Sequence, residues 1–410
     1  MGTRGRRPAL LLALAAAACG GGSGTSDWEE AAPLFAPDHV VEVSIDLAPA
    51  DWDALRSQTR TPEDLLDRPD CLGSPFPNPF TYFPATVTVD GELLEMVAVR
   101  KKGFIGSLDA GKPSLKISVD EAEPDRTFHG LERITLNNSI QDPSYVDQCI
   151  AYALFDRAGL PAPRCNFAQV TVNGQSLGTY VHVESIEDEL LDHHFGSSGG
   201  NLYEGTLSDF LPAWSGTFEK KNNEEVDDWS DIDAVITAAA APDDELLAAL
   251  DGVIDLDQFI RFWALESLVQ HWDGYAGNIN NYWLYESGGR LHFLPWGADQ
   301  VLTERNPVQG DDAPTSLYAT GYLAFRLYHH PEGRQRYLAE MRALLDEVWD
   351  ETWLLAEIDR MSALIGHGVA SQEFGPSVMA RRDFVMNRRA AVREDLGAEW
   401  GYDLRAAFCQ

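Results

Sequence analysis

Asp273, Asn278 and Asp299 are the residues whose types and spacing could carry out a reaction. Asp273 and Asn278 stand five positions apart between a predicted helix and a predicted strand, and Asp299 follows the next hairpin. In phosphoryl transfer, a loop Asp accepts the proton of the attacking hydroxyl, while an Asn and a second Asp hold the Mg²⁺ ions that bridge the phosphates. Oxygen atoms are the ligands that such a hard cation requires.

The spacing alone leaves a simpler interpretation open. Asp, Asn and Gly favour turns, so the same pattern is typical of ordinary turn chemistry or of a structural Ca²⁺ loop. A P-loop enzyme is excluded, because the chain has no G-x-x-x-x-G-K-[ST] motif.

The residues that surround these three side chains resemble the spore coat protein H (CotH) kinase family. The segment from Trp272 to Tyr282 resembles the family pattern W-D-x-x-x-x-N-x-N-N-[YF], and the segment from Pro295 to Asp299 resembles P-W-D-x-D. Upstream landmarks follow in family order, and the resemblance extends from about residue 40 to residue 302. These landmarks are Val99–Gly103, Lys112–Ile117, Phe128–Gly130, Leu136–Asn138, Asp142–Ser144, Val172–Gly174, Gly178–Tyr180, Glu184 and Asn201–Glu204.

The resemblance implies an ATP- and Mg²⁺- or Mn²⁺-dependent transfer of phosphate to a protein hydroxyl. It implies Asp273 as the catalytic base, Asp299 as a metal ligand, and Asn278 as a metal ligand or a residue that orients the loop. The protein substrate is unknown.

Three residues are candidates for nucleotide binding on the same resemblance. Lys116, on a predicted strand, would contact the phosphates, and Lys102 is its rival; Glu184 would pair with that lysine or contact the nucleotide. The alternatives are an exposed strand lysine for Lys116 and a surface acid for Glu184. Asn138 and Asp142 are interpreted as helix-capping residues.

The chain departs from the family pattern at three places near the implied phosphate site. Gly297 replaces the first Asp of P-W-D-x-D, Phe104-Ile105 replaces an expected Asn-Ser, and Gln148 stands where a helix Glu is expected. Each change removes a polar or charged group. A catalytically silent surface or coat-assembly protein on the same fold is therefore the alternative function.

The first residues are typical of an export signal. Arg4, Arg6 and Arg7 precede an apolar run that is too short to span a bilayer, and small residues then lead to Cys19, as in a bacterial lipobox. We expect a signal peptide over 1–18 and a lipidated Cys19 that starts a flexible tether over 19–37. The domain would then occupy the cell envelope, periplasmic or surface-exposed, and contact the membrane only through its lipid; an ordinary signal peptide is the alternative.

Composition restricts the possible partners and cross-links. The formal net charge of −34 argues against binding to nucleic acid, because a polyanion would be repelled. None of the cysteines has the spacing of a zinc site, and Cys149 and Cys165 are the expected disulfide pair.

The pattern of elements predicts an α+β, two-lobed, atypical kinase-like fold over residues 38–402. Strands and two hairpins, with turns at Asp90-Gly91 and Asn173-Gly174, dominate a β-rich lobe over about 38–200. Helical periodicity dominates about 201–402, and two strands near 282–285 and 291–294 flank the turn that precedes Asp299.

Overall fold

The computed structural model describes residues 25–66, 68–304, 307–308, 314–397 and 404–406. In this part of the chain, the N-terminal half forms a closed barrel in the strand order β1-β2-β3-β4-β5-β7-β6. Parallel pairing of β6 with β1 closes it, and the other neighbours are antiparallel. The strands are β1 Val40–Asp46, β2 Phe83–Val89, β3 Glu92–Lys102, β4 Ser114–Ser118, β5 Arg133–Asn137, β6 Cys165–Val172 and β7 Gln175–Val183.

Two tight turns connect the hairpins of the barrel at the predicted dipeptides. Asp90 and Gly91 have φ angles of 48° and 87°, and Asn173 and Gly174 have φ angles of 50° and 77°. Positive φ at both central positions is the type I′ geometry that matches the twist of paired strands. Alternate residues of the strands, such as Val43 and Ile45, then point into an apolar interior.

Helices flank the barrel and connect its strands. They are α1 Asp27–Ala31, α2 Pro49–Ser57, α3 Pro62–Leu66, α4 Asp147–Arg157 and α5 Asp188–Phe195. A disulfide joins Cys149 of α4 to Cys165 of β6, which confirms the expected pair.

The packed part of the chain begins earlier than the predicted tether allowed. Ser26 and Glu29 form a capping box at the start of α1, and Ala31, Leu34 and Phe35 are buried in the barrel core. The tether was predicted from a Gly- and Ser-rich segment that ends at Thr25. That segment does not predict the conformation of the apolar residues that follow it. Cys19 lies outside the described residues, and its lipidation stays a prediction.

The C-terminal half is helical and contains a second sheet in the order β11-β10-β8-β9. Its strands are β8 Leu202–Gly205, β9 Glu219–Lys220, β10 Tyr282–Ser287 and β11 Arg290–Pro295. Its helices are α6 Ser230–Ala239, α7 Asp243–Asp251, α8 Leu256–Leu268, α9 Tyr275–Asn278, α10 Tyr322–His329, α11 Pro331–Glu347, α12 Glu351–Ile365 and α13 Phe374–Asp395. The predicted α+β division into a β-rich and a helical part is confirmed.

Helix α8 is the centre of the helical half. Phe259, Phe262 and Trp263 are fully buried in its main apolar core, where Trp263 packs on Tyr337 of α11 with ring centroids 4.0 Å apart. This packing holds the C-terminal end of α8 in place, and the loop that contains Asp273 begins there. Among the helices that the structure describes, none is both long and apolar enough to cross a membrane.

Candidate functional site

A cavity of about 440 Å³ lies where the barrel meets the helical half. Asp273, Asn278 and the more distant Asp299 all line it. Lys102 at the end of β3 faces them from the barrel side. The structure therefore brings together the three predicted chemical residues and one of the two predicted lysines.

Three amide side chains surround the Asp273 carboxylate. Asn278 donates to Oδ1 over 2.6 Å, Asn281 donates to Oδ2 over 2.8 Å, and Asn280 reaches Oδ1 at 3.3 Å. Burial raises the pKa of Asp273, and the hydrogen bonds from these amides oppose that rise. The result is a carboxylate fixed in orientation by neutral donors, which keeps it able to accept a proton.

Glu266 anchors the loop that carries Asp273. This fully buried residue of α8 accepts the backbone N–H groups of Tyr275 and Ala276 at 3.0 and 2.9 Å. At Gly277 a Cβ would lie 2.2 Å from the carbonyl oxygen of Trp272, so the loop closes tightly only with glycine there. We did not predict this role for Glu266; the signal was an acid directly after the apolar run Phe262–Leu265.

The backbone of the same loop holds non-glycine residues in the left-handed region. Ile279 has a φ of 52° and Asn281 has a φ of 50°. A β-branched residue is rarely found there, and such conformations cost about 1–3 kcal/mol each. The surrounding contacts compensate for this strain, and the conformation directs the Asn280 and Asn281 amides toward Asp273.

Asp299 is the second carboxylate of the cavity. Burial raises its pKa to about 7, and the charges of Asp273 and Asp142 add to the rise. Among the described residues, no side chain donates a hydrogen bond to its carboxylate. Its oxygens remain available for a cation that enters the cavity.

The donor set fits a hard divalent metal ion. Asp299 and Asp273 supply carboxylate oxygens, while no group of three or more His, Cys, Asp or Glu residues in the described ranges could hold a metal by itself. Mg²⁺ is typically bound through one or two carboxylates and keeps its remaining positions for water and phosphate oxygens.

Gly297 occupies a position that a larger residue could not enter without local movement. Its φ is 54°, and a Cβ would lie 2.4 Å from Oδ1 of Asn281. The aspartate of the family pattern would therefore require the Asn281 side chain, and with it the Asp273 arrangement, to shift. Glycine at position 297 therefore leaves the space that the Asn281 side chain occupies when it orients Asp273.

Lys102 is held by the amide of Asn137 and has no carboxylate partner among the residues that the structure describes. Its Nζ donates to Oδ1 of Asn137 at 2.5 Å, and Asn137 donates to Oε1 of Gln148 at 2.7 Å. Burial lowers the pKa of Lys102 to about 7, and the charges of Lys116 and Arg100 add to this effect. Gln148 therefore reaches Lys102 through Asn137, at the place where the resemblance implied a glutamate.

Lys116 and Glu184 do not reach the cavity lining. Lys116 forms an ion pair with Glu187 at 3.0 Å, and Glu184 is buried against Arg164, with Nε 3.1 Å from Oε1. The expected pairing of Glu184 with a nucleotide-binding lysine is therefore not formed. The geometry favours Lys102 over Lys116 as the lysine beside a nucleotide.

Three further residues of the sequence analysis lie at or near the cavity. Asp142 accepts the backbone N–H groups of Ser144 and Asp147 at 2.9 and 3.0 Å, but the N-cap residue of α4 is Val146, so the expected capping role is not formed. Asn138 instead binds the carbonyl oxygens of Ser107 and Lys112, both at 2.9 Å, and lines the cavity. Phe104 also lines the cavity, with the Arg60 guanidinium 4.9 Å from its ring centre.

The cavity lining contains slightly more basic than acidic residues, whereas the protein as a whole is strongly acidic. Its described lining includes five of the 31 basic residues but only four of the 65 acidic ones. The basic residues are Arg60, Arg100, Lys102, Lys221 and Arg405, and the acidic ones are Glu204, Glu219, Asp273 and Asp299. A concave, locally basic surface on a protein of net charge −34 favours an anionic ligand.

Comparisons with known proteins agree on one family. A family model described as CotH kinase protein matches residues 99–380. Inner spore coat protein H of Bacillus subtilis is 26% identical over 229 residues, which cover 53% of this chain and 61% of the relative. Invasin CotH2 of Rhizopus delemar is 22% identical over 254 residues, 54% of this chain and 43% of the relative. The chain thus spans less than two thirds of the length of these relatives.

Among solved structures, the proinflammatory kinase CtkA of Helicobacter pylori is similar with a TM-score of 0.38 and 12% identity. The match covers 73% of this chain and 95% of CtkA.

Proposed function

The chain belongs to the CotH kinase protein family, and from this premise we propose that it transfers the γ-phosphoryl group of ATP to a protein hydroxyl with the help of a divalent metal ion. The observation that carries the proposal is the shared cavity of Asp273, Asp299 and Lys102. A base, a cation ligand and a phosphate-binding charge are the parts that this reaction requires.

Asp273 would act as the catalytic base. Its carboxylate accepts the proton of the substrate hydroxyl as that oxygen attacks phosphorus, and the surrounding Asn278, Asn280 and Asn281 amides keep it aimed at the reacting atoms. A positioned base of this kind contributes roughly 10²- to 10⁴-fold to the rate.

Asp299 would hold the metal ion, Mg²⁺ or Mn²⁺. When bound, such an ion neutralises charge on the phosphate oxygens during transfer. Burial raises the pKa of Asp299, and a bound cation would favour the ionised carboxylate again. Asn278 fits the loop-orienting role better than the ligand role, because its amide group already donates to Asp273.

Lys102 and the neighbouring basic residues would bind the phosphate chain. The Lys102 ammonium lies in the cavity, and within the described part of the chain its one hydrogen-bond partner is the neutral Asn137 oxygen. An incoming phosphate would provide the missing negative charge. The Trp296 ring, 5.5 Å from Nζ, bounds this region.

We further propose that the domain works in the cell envelope, tethered by a lipid on Cys19. The support is the signal-like sequence before this residue. Metabolic labelling with a radioactive fatty acid tests it: label should enter the wild-type protein and be lost in Cys19→Ala. Equal labelling of both forms would contradict the anchor.

The proposed reaction is tested with purified protein, radiolabelled ATP and Mg²⁺ or Mn²⁺. Phosphate incorporation into the protein itself or into a generic acceptor should be abolished in Asp299→Ala. A matched control is Asp359→Ala, since this exposed carboxylate pairs with Arg382 outside the cavity lining. If Asp299→Ala transfers phosphate as well as the wild type, the assignment fails.

A second candidate function is a catalytically silent surface or coat-assembly protein on the same fold. Gly297 and Gln148 favour it, since both positions lack the acidic groups expected near the phosphates. A silent protein that has lost the nucleotide site would show no thermal stabilisation by ATP with Mg²⁺, whereas a ligand that binds the native state raises the melting temperature. Stabilisation together with phosphate transfer would exclude this candidate.

A further inference from the structure

Arg405 brings a positive charge from the C-terminal part of the chain into the cavity. Its Nη1 donates to the main-chain oxygen of Asn278 at 3.2 Å and also to the Oδ1 atom of that side chain. The guanidinium lies 5.8 Å from the ring centre of the buried Trp214. A residue distant in sequence thus contacts the loop of the proposed base.

Both ends of the Asn278 side chain are engaged as a result. Its nitrogen donates to Asp273, and its oxygen accepts from Arg405. In protein kinases, an Asn at the corresponding position of the catalytic loop holds one of two Mg²⁺ ions. The Asn278 oxygen could bind such an ion only if the guanidinium moved away.

The charges near Arg405 are those that a cation would neutralise. Burial lowers the pKa of Arg405, and the negative charges of Asp273 and Asp209 oppose this effect only in part. Arg is a suitable residue for this role, since its guanidinium stays charged and presents several donors in a fixed plane.

The missing acid at Gly297 matches the replacement of a metal ion by an arginine. Two divalent ions with three acids at 273, 297 and 299 would total about +1, and one divalent ion with Arg405, Asp273 and Asp299 also totals about +1. The exchange of a +2 ion for a +1 side chain therefore compensates for the loss of one carboxylate.

We propose that Arg405 is a positioning and charge-supplying residue that replaces the cation beside Asn278, so that the site uses a single divalent metal ion. This inference deepens the proposed function and rests on it. Arg405 holds the loop of the base through Asn278 and supplies positive charge next to Asp273. The remaining divalent ion would belong to Asp299.

The test counts metal ions. The full chain, wild type and Arg405→Met, is saturated with the β,γ-imido analogue of ATP, and bound Mn²⁺ is measured by electron paramagnetic resonance. We expect one tightly bound Mn²⁺ per wild-type chain and two in Arg405→Met, because the Asn278 oxygen is then released. Arg405→Lys, which keeps the charge, should retain a single ion.

The controls separate this inference from the proposed function. Arg393→Met changes an exposed arginine that pairs with Asp346 outside the cavity lining, and its Mn²⁺ count should equal that of the wild type. Two Mn²⁺ ions in the wild type would overturn the inference even if phosphate transfer is intact, and this result does not depend on the folding of any variant. If no form of the protein binds the analogue, the proposed function fails and the inference fails with it.

Phosphate transfer by the same variants gives an independent readout. At a metal concentration that fills only one site, loss of the Arg405 charge should lower the rate by about tenfold or more in Arg405→Met, with partial rescue in Arg405→Lys. A faster rate in Arg405→Met would mean that the arginine blocks the site, and the inference would be wrong.

Discussion

Two clusters of charged residues lie away from bulk water in this protein, and they differ in how their charges are compensated. The ion-pair cluster consists of Asp142, Asp147 and Arg381, where α4 meets α13; Arg381 binds Asp147 through Nε at 2.8 Å and Nη2 at 2.7 Å. Burial opposes the charged form of Arg381, yet the two carboxylates raise its pKa. The two acids of this cluster share Arg381 as a counter-ion from the protein itself, and burial still raises the pKa of both Asp142 and Asp147.

The cavity cluster consists of Asp273, Asp299 and Lys102. Asp273 and Lys102 are held by neutral amides, and no described side chain donates to the Asp299 carboxylate. A buried charge is costly unless it is paired, so the protein keeps this cluster only if a ligand provides what is missing. A cluster whose counter-ion is a side chain of the protein is therefore structural, whereas one held by amides is prepared for a charged ligand.

The largest expected effect is on catalysis, from Asp273→Asn in the cavity cluster. An amide cannot accept the hydroxyl proton, so we expect phosphate transfer to fall about 10²- to 10⁴-fold while ATP binding persists. Single-turnover assays and nucleotide titrations measure the two quantities. Transfer at the wild-type rate would show that Asp273 is not the catalytic base.

The next effect is on stability, from Arg381→Met in the ion-pair cluster. Two buried carboxylates would lose their counter-ion, which typically costs about 3–5 kcal/mol of unfolding free energy. Urea denaturation measures it. The adjacent Arg382→Met is the matched control: Arg382 pairs with the exposed Asp359, so the expected loss is at most about 1 kcal/mol. Equal losses in the two variants would contradict the structural role of Arg381.

A smaller effect is expected from Glu189 in α5, a buried acid outside both clusters. Burial raises its pKa to about 9 from an ordinary value of 4.5, and neighbouring glutamates add to the rise. The folded state therefore holds it neutral, and stability should fall as pH rises from about 4.5 through about 9, while the unfolded chain alone is ionised.

Glu189→Gln should remove most of that fall and stabilise the protein at pH 8 by on the order of 2 kcal/mol. Glu184→Gln provides the contrast, because this buried acid is paired with Arg164 and its change should destabilise the protein. Thermal unfolding at pH 5 and pH 8 measures both. Destabilisation by Glu189→Gln at pH 8 would show that the Glu189 side chain is charged and paired in the folded protein.

The smallest expected effect comes from Gln148→Glu, which would place a carboxylate near Lys102 in the cavity cluster. With a pKa of about 7, Lys102 is about one-tenth charged at pH 8, and a nearby carboxylate would raise its charged fraction. Nucleotide affinity should rise by up to about tenfold at pH 8 and change little at pH 6, where Lys102 is already charged. Equal effects at both values of pH would contradict this account of Lys102.

Much of the fold could be predicted because its signals are local. The two dipeptides Asp90-Gly91 and Asn173-Gly174 marked their hairpins, and helical periodicity indicated the helical C-terminal half. Short elements such as β9 and the helix α1 were missed, because their stability comes from packing against distant segments. The closure of the barrel by β6 and β1 joins residues more than 120 positions apart, and no local pattern contains it.

The candidate site shows the same division. The spacing of Asp273, Asn278 and Asp299 is also typical of turns and Ca²⁺ loops, so the family resemblance was needed to select them, and the structure places all three at one cavity. The choice between Lys102 and Lys116 could not be made in this way. Both lie on paired strands of the barrel, and only the packing directs one toward the cavity and the other toward Glu187.

The order of residues was sufficient to predict the family, from its motifs, and the division into β-rich and helical parts, from local periodicity. The folded structure was needed to show which charged residues contact each other. Arg381 neutralises acids more than 230 positions away, and Arg405 reaches Asn278 from 127 positions away. Electrostatic energy depends on distance in space and on burial. Neither quantity can be read from the order of residues without the folded structure.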